Sequence, residues 1–503
     1  MFPRTTFSKK VMLLILLDAV LLYAALAATL FLRYGNEPDW PLIKNHFLPF
    51  SIIFAVWLLL FGAFGLYDLH FMKNHKAFFY RFLRAMATNA VVAILIFYLI
   101  IPVFEIEPRR NLFLVVLFST IFISYLRYLF NLLIIRAPSS RVLFFGLTRE
   151  AVELADYLLK NPQLGNRPVA FLSPNGSGIN PPEGIKHFSA IADLSHIVGD
   201  LKIDTIVALR EIKEDKTMVS ALFQVIPAGI SLIEFPVFHE ALTGKVPLSL
   251  IGEIWFLENL IGAKKTVYEF FKRWLDILIA LAASVPAIAL FPVIALAIRI
   301  DSQGPVFYRQ TRIGKLGKEF TVTKYRTMVK DADKMKLHGQ VRGIPDSTMK
   351  PAGLPVERNP APKTTAHSQA NTWSSGAWMS GWKGVGPDPR HTRVGLFLRK
   401  SYLDELPQII NILKGQMSFV GPRPERPEYV KELTEKTPFY EMRLLVTPGI
   451  TGWAQINMED DASVEDAPEK MQYDLYYIKN RSLILDLLVI LKTAFTLLRR
   501  QGR

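Results

Sequence analysis

Four long apolar runs fill the first quarter of the chain: Val11 to Leu32, Phe47 to Leu66, Ala85 to Phe104 and Leu112 to Ile135. Each reaches or nears the roughly 20 residues that a membrane-spanning helix needs. The run from Val11 is too long for a cleavable leader and is followed by further spans, so it reads as an anchor. Arg4, Lys9 and Lys10 precede the first run, and Lys73, Lys76, Arg81 and Arg84 separate the second from the third. The other connections mix Arg33 and Lys44 with Glu37 and Asp39, or Arg109 and Arg110 with Glu105 and Glu107. This asymmetry places the N-terminus on the cytoplasmic side, and an even number of spans returns the chain there near Arg136. Asp18 and Arg127 fall inside spans, where they read as an interhelical pair or as interface snorkelling rather than as transport groups.

From Arg141 the pattern changes to strands alternating with helices. Val142 to Gly146 is followed by a helix to about Leu159, then by Val169 to Leu172 and Asp204 to Leu209, which predicts a parallel, Rossmann-like sheet. The turn Gly146-Leu-Thr-Arg-Glu-Ala151 has one glycine where a pyrophosphate-binding loop wants three, so a bound dinucleotide is not expected. A structural or regulatory module is the better reading.

A fifth apolar run, Trp274 to Ile298, differs from the first four. Lys272 and Arg273 stand at its start, and Arg299, Arg309, Arg312, Lys315 and Lys318 follow its end, so both ends ask for the cytoplasmic side. Pro286 and Pro292 interrupt it, each removing a backbone donor. A helix that enters the bilayer, breaks and leaves by the same face satisfies both facts, with Ser284 placed to serve a freed carbonyl; a kinked full span is the alternative. The stretch from about 334 to 386 is rich in Gly, Pro, Ser and Thr, carries Trp373, Trp378 and Trp382, and reads as a mobile loop. Leu483 to Leu498 suits a helix lying on the membrane surface or against a core.

Composition narrows the classes. The chain has 503 residues, half of them apolar, a formal net charge of +15 and no cysteine. Thiol chemistry, disulfides and thiolate metal sites are thereby excluded. The positive charge suits an anionic membrane face or phosphorylated substrates, and its position at the span ends and around the C-terminal motifs gives no reason to expect nucleic acid.

The densest chemistry lies in Leu398-Arg-Lys-Ser-Tyr-Leu-Asp404-Glu405-Leu-Pro407-Gln408 through Lys414-Gly415. Pro407 sets a helix start near Asp404, and Gly415 stops it. Asp404 then sits at a helix N-terminus, either as a plain N-cap or as a carboxylate that the helix dipole keeps ionised and that phosphate can approach, as a nucleophile for phosphoryl transfer requires. Arg399, Arg423, Arg312, Lys324 and Arg326 supply cations for phosphate oxygens, Arg423 between two prolines. Glu405 can hold Mg²⁺, which typically uses one or two protein carboxylates plus substrate phosphates. No His cluster suggests zinc.

At these residues the chain resembles the bacterial sugar transferase family, the monotopic polyprenyl-phosphate phosphoglycosyl transferases. The resemblance runs through Lys272-Arg273-Trp-Leu-Asp276, Gly304-Pro-Val-Phe-Tyr-Arg-Gln310, Arg312-Ile-Gly314, Lys324-Tyr-Arg-Thr-Met328, Asp388-Pro-Arg-His-Thr-Arg-Val-Gly395, Asp404-Glu405-Leu-Pro-Gln408, Lys414 to Pro424, Thr447-Pro-Gly-Ile-Thr-Gly-Trp453 and Gln472 to Ile478. With the spans and the Rossmann-like module ahead of these motifs, the whole chain is similar to the long subclass that initiates exopolysaccharide, capsule or O-antigen synthesis. The fold so implied is an α-helical membrane bundle (1–137), an α/β Rossmann-like domain (138–263), a re-entrant helix region (264–300) and an α-rich, α+β catalytic domain (301–503).

The resemblance further implies that Asp404 attacks the β-phosphate of a UDP-sugar and releases UMP, leaving an aspartyl phosphosugar. Glu405 would bind Mg²⁺ and assist proton handling, Arg399 would steer undecaprenyl phosphate, and Arg423 would contact the nucleotide sugar. The expected location is the bacterial inner membrane with the catalytic domain facing the cytoplasm, and the membrane domain is large enough to support a homodimer. The family's usual Ser-Pro break is absent near Ile288-Ala289, and the insertion before Asp388 is longer than the family pattern. Rival classes are a membrane-anchored NAD-dependent sugar epimerase or dehydratase, which predicts a glycine-rich turn and a Tyr-x-x-x-Lys pair, and a non-catalytic scaffold or sensor of polysaccharide assembly.

Overall fold

The computed structural model describes residues 6–35, 40–67, 76–100, 108–136, 139–174, 178–209, 215–261, 265–330, 332, 390–458 and 466–500. The insertion at 334–386 with its tryptophans, Asp388, and the flanking charges Arg4 and Lys73 lie outside those residues. The chain folds as two compact units, one of residues 1–263 with 484–496, the other of 264–483 with 497–503.

In the first unit the four apolar runs become helices α1 (Thr6–Tyr34), α2 (Trp40–Ala63), α3 (Lys76–Ile100) and α4 (Pro108–Arg136). All are long and apolar enough to cross a membrane. Leucines of α1, aromatic residues of α2 and α3, and Val115 and Ile123 of α4 form their shared core, centred on Phe50, Trp57, Phe61 and Phe82. Of the two readings of Asp18 and Arg127, the structure gives the interhelical pair. Arg127 Nη2 donates to Asp18 Oδ2 at 2.5 Å, and Nη1 donates to the carbonyl of Leu66 at 2.9 Å. Both side chains are fully buried, so each charge meets its counterion where hydrocarbon would otherwise surround it.

The sheet that follows has strands β1 (Ser140–Phe145), β2 (Asn166–Leu172), β3 (Lys186–Phe188), β4 (Thr205–Ala208) and β5 (Ser231–Glu234). They are parallel in the order β3-β2-β1-β4-β5. Val142 to Phe145 on central β1 are buried on both faces, as continuous apolar runs in parallel strands must be. Helix α5 (Arg149–Lys160) follows β1, its start capped by Thr148. Gly146 takes φ +111°, and a Cβ there would lie 2.3 Å from Leu209. The close approach that Gly146 permits is therefore made by Leu209, from the end of β4. The sheet core also takes in Leu14 of α1, with Leu126 and Phe130 of α4 packed on it, so module and bundle share one apolar interior.

The second unit opens on α6 (Thr266–Asp301), a continuous helix of 36 residues that contains Pro286 and Pro292 without interruption. The expected break is thus absent. Nor does Ser284 serve a carbonyl freed by proline: its Oγ donates to Ala280 four residues back, at 2.7 Å. A stripe made of Lys272, Asp276, Ala280, Ala283, Ala287, Ile294 and Ile298 turns inward at spacings of three, four and seven residues, while Val285, Ile288, Val293 and Leu296 are exposed. The first half of the stripe packs on Phe320, Val322, Ile409, Ile412 and Met417, the second on Tyr325 and Leu398. Both halves of α6 therefore lie against one folded body.

That body contains the antiparallel hairpin β6 (Phe307–Ile313) and β7 (Glu319–Tyr325), helix α7 (Arg393–Lys400), a 3-10 segment Leu403–Gln408 running into α8 (Ile409–Leu413), and the parallel pair β8 (Ser418–Val420) and β9 (Gly449–Thr451). Helices α9 (Pro427–Lys436), α10 (Ala467–Asn480) and α11 (Leu483–Arg500) complete the chain. In α11, Asp486 and Val489 are buried, which favours packing against protein over lying on a membrane surface.

Candidate active site

The acidic pair lies on the 3-10 segment between α7 and α8. Tyr402 starts that segment in the left-handed conformation (φ +56°), and Gly415 (φ +77°) follows its end, so the stop expected at Gly415 is observed. Asp404 is not the N-cap. It sits inside the first turn, where its carboxylate accepts no hydrogen bond among the described residues although the residue is only 8% exposed. Burial and the neighbouring charge of Glu405 push its carboxyl up to about 6, against the opposing pull of Lys324, Arg399 and Arg423. The dipole argument from sequence is corrected accordingly: desolvation outweighs the favourable charges, and the three side-chain cations keep Asp404 largely ionised at neutral pH.

Glu405 is the partner paired directly with cations. Burial alone would raise it, but Lys324 Nζ at 2.7 Å and Arg423 Nη2 at 3.3 Å, both on Oε1, bring its carboxyl down to about 2. Two adjacent carboxylates thus have proton affinities pushed in opposite directions, which separates their chemical roles.

Lys324 reaches the pair from β7, and Arg423 from the loop after β8. That loop, Gly421 to Glu425, is pinned along its backbone. Pro422 O accepts from Gly449 N at 3.0 Å, and Glu425 O accepts from Ile313 N at 2.9 Å. Arg423 O accepts from Arg443 Nη2 at 2.9 Å, and Pro424 O accepts from Arg312 Nη1 at 3.0 Å. A Cβ on Gly421 would meet the Thr447 carbonyl at 2.4 Å, which is why this loop and the Pro448-Gly449 turn can lie so close only as glycines.

Arg399, in the last turn of α7, contributes charge to Asp404 and contacts His391 Nε2. His391 Nδ1 lies 3.1 Å from the Thr327 carbonyl, which can only accept. The imidazole therefore donates from Nδ1 and accepts from Arg399 at Nε2, as a neutral ring.

Of the residues singled out from sequence, the structure brings together Asp404, Glu405, Lys324, Arg399 and Arg423. It gives Arg312 and Arg326 other work. Arg312 is buried, bonded to the Pro424 carbonyl and Gln310, and 3.6 Å from Glu425. Arg326 donates to the carbonyls of Ser302 and Gln303 and ties the end of α6 to β7. Sequence reasoning missed Glu425, Arg443, Lys470 and Asp474, the charged cluster beneath the Arg423 loop, and His391 beside Arg399. The one local hint was an acid directly after Gly421-Pro-Arg-Pro424, a place with no evident solvent role.

For a divalent cation the donor set is small: no group of three or more His, Asp or Glu side chains occurs among the described residues. Oxygen donors are nevertheless at hand: both cations fall on Glu405 Oε1, and neither Glu405 Oε2 nor the Asp404 carboxylate accepts a hydrogen bond among the described residues. This fits Mg²⁺ held by one or two carboxylates together with substrate phosphates.

Fold and site together describe a protein with five helices long and apolar enough to cross a membrane and a carboxylate pair on which three cations converge. The chain belongs to the bacterial sugar transferase family, whose sequence profile matches residues 267–500. It is 34% identical over 316 residues, 61% of each chain, to the UDP-N-acetylgalactosamine-undecaprenyl-phosphate N-acetylgalactosaminephosphotransferase of Aeromonas hydrophila. It is 29% identical to the UDP-glucose:undecaprenyl-phosphate glucose-1-phosphate transferase of Xanthomonas campestris pv. campestris, over 71% of this chain and 66% of that one. The exopolysaccharide production protein ExoY of Sinorhizobium fredii is 32% identical, over 48% of this chain and 90% of its own length. The alignments thus span just under two thirds of the first two relatives and nearly all of the third.

Proposed function

We propose that the protein transfers a sugar 1-phosphate from a UDP-sugar to undecaprenyl phosphate through a covalent intermediate on Asp404. The observation that carries this reading is the Asp404 carboxylate, buried and without a hydrogen-bond donor among the described residues, beside three cations. Hydrogen-bond donors would tie up the lone pairs a nucleophile needs, and cations favour both the carboxylate and an approaching phosphate.

In the first step an Asp404 oxygen attacks the β-phosphorus of the donor, the bond to the bridging oxygen breaks, and UMP leaves. In the second, a phosphate oxygen of the lipid attacks the same phosphorus, a new diphosphate forms, and Asp404 is regenerated. One diphosphate bond is exchanged for another, so the reaction needs positioning and charge neutralisation rather than an energy source. Arg423 and Lys324 face the donor phosphates and Arg399 the lipid phosphate. Arg312 and Arg326 hold the scaffold. Glu405 would hold Mg²⁺, which when bound neutralises charge on the diphosphate.

The same reading places α6 as a re-entrant element at the cytoplasmic face of the bacterial inner membrane. At 36 residues the helix is about 54 Å long, well beyond the roughly 30 Å of a bilayer core. Its two halves lie against one folded body, and a bend at Pro286 and Pro292 that leaves the helix continuous would let it enter and leave by one face, while its exposed apolar side supplies the contact with lipid. A soluble nucleotide sugar and a lipid phosphate then meet at the headgroup plane. The product is the first lipid-linked sugar of an exopolysaccharide, capsule or O-antigen.

The test is UMP release by the purified full chain in lipid nanodiscs, with undecaprenyl phosphate, Mg²⁺ and a panel of UDP-sugars. One UDP-sugar supports release in the native chain, EDTA stops it, and Asp404→Asn abolishes it. UMP release by the Asn variant at the native rate removes Asp404 from the mechanism.

A further inference from the structure

Beneath the site lies a charged cluster that no step above uses. Glu425 is 2% exposed, and its Oε1 takes Lys470 Nζ at 2.6 Å; Arg312 and Arg443 lie 3.6 and 3.9 Å from its two oxygens. Arg443 is 4% exposed, its Nη2 lies 3.0 Å from Asp474 Oδ2, its guanidinium carbon sits 5.0 Å from the Tyr440 ring centre, and its Nη1 contacts the Tyr440 hydroxyl. Taking so many charges out of water is costly, and apolar residues of similar size often stabilise a fold as well or better, so stability alone is a weak reason for the cluster.

The use is visible in a bond that leaves the cluster toward the site. Arg443 Nη2 also donates to the backbone carbonyl of Arg423 at 2.9 Å. We propose that Arg443 is a positioning residue of the transfer reaction: by fixing the Arg423 backbone from below, it sets the Arg423 guanidinium against Glu405 and the donor diphosphate. Tyr440 accepts from Arg443 Nη1, Asp474 faces Nη2 as a counter-charge, and Glu425 balances the remaining charge. A lysine cannot substitute. Its single ammonium reaches the carbonyl or Asp474, but lacks the planar fork that meets Arg423, Asp474 and Tyr440 together. Neighbouring Arg312 acts on the next carbonyl, that of Pro424, so two consecutive carbonyls of the loop are held by guanidinium groups.

This inference rests on the reading of Arg423 as a donor ligand, and its test is kept apart from the nucleophile assignment by measuring binding without turnover. Calorimetric binding of UDP to the full chain in nanodiscs is compared for the native chain, Arg423→Ala, Arg443→Lys and the double variant, with thermal unfolding of each. Residues that act through one another give non-additive losses. Arg423→Ala is expected to weaken UDP binding by about tenfold or more, Arg443→Lys by about three- to tenfold, and the double variant no further than Arg423→Ala. Asp474→Asn, which keeps the shape but loosens the hold on Arg443, provides the same cycle should Arg443→Lys fail to fold. Losses that multiply in the double variant, or a lowered unfolding temperature with UDP binding unchanged, overturn the proposal and leave the cluster a purely structural one.

Discussion

Replacing Asp404 with Asn is expected to stabilise the catalytic unit while it inactivates the enzyme. The carboxyl stands at about 6 instead of its ordinary 3.8, and at ~1.4 kcal/mol per tenfold change in proton affinity the ionised side chain destabilises the fold by about 3 kcal/mol at neutral pH. The amide carries its own desolvation, on the order of 1 kcal/mol, so the net gain should be about 2 kcal/mol. For a unit of this size that corresponds to roughly 4–8 °C in its unfolding transition. The sign with pH is fixed by the direction of the shift. A raised carboxyl destabilises fully above its folded value, so the effect of about 3 kcal/mol is complete at pH 7.5, falls by about half near pH 5 and vanishes below the unfolded value near 4; the net gain shrinks with it and becomes a loss of about 1 kcal/mol below pH 4. Thermal unfolding of both chains in nanodiscs at pH 7.5, 5 and 4, followed by near-UV circular dichroism, reads all three points. An Asn variant that is less stable at pH 7.5, or a gain that grows as pH falls, refutes the assignment of Asp404 as a desolvated, undonated carboxylate.

Three further outcomes follow from the same geometry. Lys324→Met removes a cation that favours both carboxylates, so kcat/KM should drop by about tenfold or more and the acid limb of its pH profile, set by Asp404, should move to higher pH; an unmoved limb contradicts the electrostatic account. Gly395→Ala places a Cβ 2.0 Å from the Thr327 carbonyl oxygen, with the Thr327 backbone unable to yield locally, so α7 should shift with Arg399 and stability should fall by on the order of 1–3 kcal/mol, read by thermal unfolding. Because the chain contains no cysteine, single substitutions Val267→Cys and Gln303→Cys at the two ends of α6 report topology cleanly: a membrane-impermeant maleimide should reach both only from the cytoplasmic side, and labelling of the two from opposite sides would eliminate re-entry.

Much of this architecture is legible in the chain because the signals are local. Apolar run length gave α1 and α4 within about five residues of their ends, whereas α2 and α3 begin earlier than their apolar runs, at Trp40 and Lys76, and β1, β2 and β4 announced themselves as short apolar strands between helical stretches. Strands β3 and β5 escaped notice: Lys186-His-Phe188 and Ser231-Leu-Ile-Glu234 are edge strands of the sheet, short and partly exposed, with little apolar pattern to show. In the site, the acidic pair, Lys324, Arg399 and Arg423 were legible from residue type and motif. Arg312 and Arg326 are bonded to backbone carbonyls, which sequence does not show, since a guanidinium that binds carbonyl oxygens and one that binds phosphate have the same local sequence. Only the fold shows which acceptor is present. The same holds for α6, where two prolines predicted a break but packing along Ala280, Ala283 and Ala287 keeps a continuous helix. The Glu425, Arg443 and Asp474 cluster is assembled across some fifty residues of chain, beyond the reach of any spacing argument.

The most direct measurement is of the covalent step itself. The full chain is incubated with its UDP-sugar and Mg²⁺ in the absence of any lipid phosphate, quenched, digested, and the peptide that contains Asp404 is weighed. The account predicts a burst of UMP no larger than the amount of protein and a peptide heavier by one sugar phosphate, both lost in Asp404→Asn and discharged on adding undecaprenyl phosphate. An unmodified peptide together with UMP release that requires both substrates at once would mean direct transfer between them, and would contradict it.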